Sequence, residues 1–376
     1  MTTASVALPQ PAAPAQRGRS WAEFLLTGGV TLVLFPLSWL AQRAFGLDAP
    51  ELFVGFVAFH AAHVINDPHF SVSYVLFYRR ARERALGSVF SPVQRARYVF
   101  AGVVVPVVLA GWAGASIAKG SAPALGMLIQ LMFLLVGWHY VKQGFGVLTV
   151  LSARRGSTFT RVERTVALFH CYAAWAFAWA SPFDPGREVE EKGVVYTTVA
   201  HPAGLLEITG VLFLGSALAL AIVLIQKRRR EGRWPPLAPL TGFLVTAWLW
   251  TVFSSMDPLM IYVIPALHSL QYLYFVHLLE KNRARSEEGP PAFGRPVGVR
   301  LGLLAVTAIG LGLLLFHLMP GFFDERLVLT GASHELDDLG ATPYFAAFFA
   351  VVNIHHYFMD TVLWRRENPD TRFLRD

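Results

Sequence analysis

The sequence predicts an all-α fold, a polytopic membrane helix bundle of about ten transmembrane helices with both termini on the cytoplasmic side. Three observations carry that reading. Hydrophobic residues make up 54% of the 376 and charged residues only 15%, whereas a soluble domain carries roughly a quarter charged residues. The apolar residues are gathered in runs near 22–44, 51–77, 98–118, 123–151, 163–181, 203–226, 237–255, 258–279, 299–320 and 342–364, and a bilayer core requires roughly 20 such residues per helix. The loops between the runs alternate in charge.

That alternation fixes the predicted orientation. Basic loops lie at 78–97, 152–162, 227–236 and 280–298, and Arg365, Arg366, Arg372 and Arg375 follow the last run. Acid-rich loops lie at 182–202, with Asp184, Glu188, Glu190 and Glu191, and at 321–341, with Asp324, Glu325, Asp337 and Asp338. Ten spans put every basic loop in the cytoplasm and both acidic loops outside, as the positive-inside rule requires. The formal charge of +7 therefore belongs to loop clusters such as Arg79–Arg84 and Lys227–Arg230, and no nucleic-acid partner is expected.

Residues 1–20, rich in Ala, Pro, Thr and Ser, read as a disordered cytoplasmic tail. Residues 21–366 form a single transmembrane domain, and 367–376 a cytoplasmic tail. The expected location is a bacterial inner (cytoplasmic) membrane. The fourth run exceeds what a bilayer needs, so it should tilt or emerge from it. One cysteine, Cys171, excludes both an intrachain disulfide and a thiolate metal site.

Ten of the twelve histidines fall inside the runs; only His201 and His334 lie in loops. A polar side chain in hydrocarbon is costly unless paired, so such residues usually face an interior site. The second run carries His60, His63, Asp67 and His69, with Pro68 set to kink the helix near Asp67. His60 and His63 are three apart, and His63 and Asp67 four apart, both face-sharing separations. The last run carries Asn353, His355, His356 and Asp360. His356 and Asp360 stand at the spacing by which a carboxylate orients or joins an imidazole ligand, while adjacent His355 and His356 point about 100° apart. The fourth run adds His139 with Gln143, and the eighth adds His268 with Gln271 and Tyr272.

With the predicted orientation, His60, His63, His139, His170, His268, His355 and His356 fall between mid-membrane and the cytoplasmic half, with His69 nearer the cytoplasmic edge. The candidate metal ligands are therefore His60, His63, Asp67, His69, His139, His268, His355, His356 and Asp360, supported by Gln143, Gln271, Asn353 and His170. His277 and His317 read as interfacial residues. A lone buried histidine is usually a hydrogen-bonded packing residue, but this many at one depth call for another reason.

Imidazole and carboxylate without thiolate suit iron, zinc or copper. The surplus over four ligands suggests one or two ions, iron first, with zinc, copper or haem as alternatives. The histidine elements resemble those of the membrane-bound non-haem iron enzymes: the fatty-acid desaturase/hydroxylase superfamily and the Brp/Blh-type carotenoid-cleaving oxygenases. Asn353-Ile354-His355-His356 is similar to the last desaturase box, and His60-Ala61-Ala62-His63 falls where an early box stands, at a shorter spacing. The resemblance implies an iron-dependent oxidation of a lipid or isoprenoid (desaturation, hydroxylation or cleavage), with His60, His63, His139, His268, His355 and His356 as ligands. The expected partners are the lipid bilayer, a hydrophobic small-molecule substrate and an electron donor on the cytoplasmic side. A haem-binding membrane protein and a proton-coupled transporter with its site at the Asp67-Pro68 break are the competing readings.

Overall fold

The computed structural model describes residues 21–181, 186–327 and 339–374. The tail at 1–20 and the loop residues Asp184, His334, Asp337, Asp338 and Arg375 lie outside the described residues. All ten predicted runs are helical over most of their length. In chain order the helices are α1 (Trp21–Gly29), α2 (Thr31–Phe45), α3 (Asp48–Ala62), α4 (Asn66–Tyr78), α5 (Ala81–Leu86) and α6 (Pro92–Ala118). There follow α7 (Ala122–Arg154), α8 (Arg161–Ala180), α9 (Leu205–Glu231), α10 (Leu237–Val252), α11 (Pro258–Glu288), α12 (Val297–Leu327) and α13 (Pro343–Leu363).

Five of these, α6, α7, α9, α11 and α12, are long and apolar enough to cross a membrane, and the pair α1–α2, bent by 56°, makes a sixth if it acts as one span. The ten-span count is therefore matched only in part, for physical reasons. The second run is split into α3 and α4, α10 has only 16 residues, and α8 and α13 carry charged, histidine or amide residues that dilute their apolarity. Helix α7 has 33 residues; at 1.5 Å per residue it is roughly 50 Å long, well beyond a ~30 Å bilayer core.

Local sequence explains the ends and the breaks. Ser91 accepts from the Gln94 amide ahead of Pro92, and Thr160 and Glu163 form a reciprocal capping box at the start of α8. Pro68 cannot donate a backbone bond and its ring opposes the carbonyl four residues back. The chain accordingly breaks at His63–Ile65, slightly ahead of the expected kink at Asp67, and Ile65 takes φ −122°, ψ −58°. Between α1 and α2, Gly28 adopts φ 126°, open to glycine at little cost, and the bend leaves the Thr27 carbonyl free to accept from Gln271.

Helix α7 is central, packed against α6, α8, α10 and α13, while α4 is gripped by α11, α12 and α13. The basic segments gather at one end of the molecule. Arg84 pairs with Asp370, Arg154 donates to the Leu374 carbonyl, Asn282 donates to the Phe373 carbonyl, and Lys227 donates to Thr158. Residues 369–374 thereby close over the ends of α7 and α11. At the opposite end the acidic loop contains a hairpin not expected from the sequence: β1 (Glu188–Glu191) pairs antiparallel with β2 (Val194–Thr197). Its turn residues Lys192 and Gly193 have φ 57° and 80°, the pattern of a tight two-residue hairpin. Tyr196 packs on Gly126 of α7, where any β-carbon would fall 2.1 Å from the tyrosine ring.

Candidate metal centre

Four of the histidines in the apolar runs converge from four helices far apart in sequence: His69 of α4, His139 of α7, His268 of α11 and His356 of α13. All four are buried. His139 Nε2 lies 3.1 Å from His268 Nε2 and 3.3 Å from His356 Nε2. His69, His139 and His356 each present a ring nitrogen within 4.8 Å of the other two, and the His69 ring stands 5.0 Å from that of His268. Asp360 completes the group, with Oδ2 3.6 Å from His356 Nε2 and 3.9 Å from His139 Nε2.

The supporting hydrogen bonds determine which nitrogens are bare. Ser269 donates its one proton to Asn66 Oδ1, so it accepts from His69 Nδ1. That assigns the His69 proton to Nδ1 and leaves Nε2 with a lone pair, and this atom is buried without a hydrogen-bond partner among the described residues. Tyr272 donates to Asp360 Oδ1 at 2.8 Å and receives from Ser73 at 2.6 Å, which pins the carboxylate and turns Oδ2 toward the imidazoles. Tyr357 stacks on the His139 ring at 4.6 Å and donates to Asn353. Gln143 donates to the His268 carbonyl and to Gln271, which in turn donates to Thr27. Such outer contacts fix ring orientation and ligand basicity in metal sites.

The spacing of the facing nitrogens of His139, His268 and His356 is informative. A ring nitrogen offers one proton or one lone pair, so His139 Nε2 cannot complete ordinary hydrogen bonds to both flanking nitrogens at once. Lone pairs aimed at a common ion can coexist there. Tetrahedral ligation at 2.0–2.1 Å puts neighbouring nitrogens roughly 3.3 Å apart, which matches the 3.1 and 3.3 Å contacts. Two imidazoles facing each other across a haem iron need roughly 4 Å between their nitrogens, for two in-line bonds of ~2 Å. The geometry suits a single small ion better than haem.

Not every sequence-predicted ligand joins this cluster. His60 is exposed, its Nδ1 on the Phe56 carbonyl. His355 is buried but turned from its neighbour, as the 100° step requires, and meets the Tyr74 hydroxyl at 3.0 Å. His170 has both nitrogens occupied: Trp248 donates to Nε2, leaving Nδ1 to donate to Ser216. It fastens α8 to α9 and α10 as a packing residue and stands apart from the cluster. His63 and Asp67 form a separate group with His317, which the sequence had placed among interfacial residues. Sequence reasoning also omitted Ser73, Ser269 and Tyr357 from the site; Ser73 stands four residues after His69, a signal that helical spacing could have offered.

No family model matches the chain, and no curated protein or solved structure matches it either.

Proposed function

We propose that this chain is a membrane-embedded metalloenzyme in which His69, His139, His268 and His356, with Asp360, hold one transition-metal ion, iron foremost, for oxidation of a lipid or isoprenoid. The observation that carries the proposal is the set of buried imidazole nitrogens of His139, His268 and His356 at tetrahedral-edge separations, beside the bare Nε2 of His69. In this reading the ten apolar runs lie in a bacterial inner membrane with both termini cytoplasmic. A bound iron would supply oxygen activation; the residues supply everything around it. Ser269 holds His69 in its ligating tautomer, Tyr272 orients Asp360, and packed aromatic rings keep water from the cluster. An apolar cleft of about 180 Å³, lined by Leu25, Leu26, Gly28, Val30, Leu267 and Leu270, opens beside the α1–α2 bend. Leu267 directly precedes His268, so a hydrocarbon chain entering from the bilayer would reach the helix that carries the site. Of the six ligands that the resemblance to the iron enzymes implies, His139, His268 and His356 lie in the cluster.

The test is oxidation itself. Iron-loaded protein in proteoliposomes made from total bacterial lipid and isoprenoid extract, given oxygen and a reductant, should convert a component of the extract, read by mass spectrometry. The His139→Ala variant should not. Unchanged extract, or equal conversion by His139→Ala, would refute the assignment.

A further inference from the structure

We propose a second, mononuclear metal site, formed by His63, Asp67 and His317, that binds a divalent first-row transition metal through two imidazoles and one carboxylate and leaves coordination positions open. This proposal does not depend on the function assigned to the buried cluster.

The three side chains each offer a ligand atom within 4.8 Å of the others. His317 Nε2 lies 2.9 Å from Asp67 Oδ2, and the His63 ring stacks on that of His317 at 4.4 Å and 14°. An aspartate and a histidine at this distance could be a simple hydrogen-bonded pair; the third member makes the difference. His63 Nδ1 faces the Phe59 carbonyl at 3.2 Å, and since a carbonyl only accepts, the ring proton sits on Nδ1 and Nε2 keeps a lone pair. A histidine that gives its other N–H to a backbone carbonyl is in the usual state of a metal ligand. The donor set of two histidines and one carboxylate recurs in open iron and zinc sites.

Backbone features bring these residues together. His63 caps α3 at the chain break forced by Pro68, and Asp67 stands in the first turn of α4. His317 lies in a π-helical stretch, Leu314–Leu318, which interrupts α12; such bulges re-aim side chains and are frequent at functional sites. Gly312, one turn earlier, allows the close approach: a β-carbon there would sit 2.9 Å from Asp67 Cβ. The His317 side chain remains 32% exposed while Asp67 is 6% exposed, so the anchor is buried and one flank is open to an external ligand.

The two sites are distinct. Asp67 and His69 are two residues apart on α4, about 200° around the helix, so their side chains leave opposite faces. One faces α12, the other faces α11 and α13. Sites on opposite faces lie about a helix diameter apart, ~10–12 Å, far beyond the ~3.5–4 Å of a bridged pair.

The test uses full-length protein in detergent, stripped by chelator, loaded with Co²⁺, desalted and analysed for bound cobalt. Asp67→Asn and His317→Ala should each hold one equivalent fewer than the wild type. His139→Ala should still hold the ion that those two variants lose, which separates this site from the buried one. Wild-type cobalt content in both Asp67→Asn and His317→Ala would overturn the proposal. His317→Cys provides a positive signal that does not rely on loss: monodisperse protein should show a thiolate-to-cobalt charge-transfer band. The one native cysteine, Cys171, is buried against the Val141 carbonyl, so the wild type should show none. Absence of the band from monodisperse His317→Cys would equally overturn the site.

Discussion

Under the proposed assignment, purified His356→Ala and His139→Ala proteins are expected to lose metal from the buried cluster while remaining folded. Each substitution removes a ring nitrogen from the short contacts of 3.1 and 3.3 Å that centre on His139. The loss in metal affinity should exceed the ~10–100-fold that follows from removing an outer hydrogen-bonding partner. The fold should survive because a buried imidazole taken from among other imidazoles also removes its own desolvation cost. The measurement is bound iron or zinc per chain after desalting, with size-exclusion profile and thermal unfolding as controls. Metal content equal to wild type in both variants would remove the cluster as a binding site.

The second large effect is expected at Asp360. Asp360→Asn keeps the shape and can still accept from Tyr272, but it removes the negative charge closest to the His139 and His356 nitrogens. A carboxylate that ligates or orients an imidazole beside a cation strengthens binding through that charge. Affinity should fall by about 10–100-fold while saturating stoichiometry is retained. Tyr272→Phe, which frees Asp360 Oδ1 but leaves its charge, should weaken binding in the same direction and by less. Competition against a chelator of known affinity reads both. Unchanged affinity in Asp360→Asn would show that the carboxylate stands outside the coordination sphere.

Much of this architecture was legible because helices are written locally. Apolar runs and Pro68 each act within a few residues of themselves, and the structure places helices along the runs and a break just ahead of Pro68. His139, His268 and His356 were legible for the same reason, as polar groups in apolar runs. What local pattern does not carry is the rotation of one helix against another. His355 and His356 are equal in the sequence, yet only His356 reaches the cluster, because the orientation of α13 is set by packing on α4 and α7. His60 and His63 share a face by spacing, but the break at 63–65 keeps His63 near α12 while His60 turns outward. His317 was hidden twice over. Its partner Asp67 lies 250 residues away, and the π-helical stretch that aims it shifts the regular period of 3.6 residues on which face assignments rest. The hairpin at 188–197 was masked by charge, since its alternating glutamates read as an acidic loop.

X-ray absorption at the metal edge of the wild-type protein, purified in detergent without added metal, tests the central claim most directly. Convergence of His69, His139, His268 and His356 on one ion predicts a stoichiometric metal with a nitrogen/oxygen shell near 2.0–2.1 Å and the outer-shell scattering of at least three imidazole rings. A protein that carries no stoichiometric metal, or one whose metal shows no imidazole scattering, would contradict it.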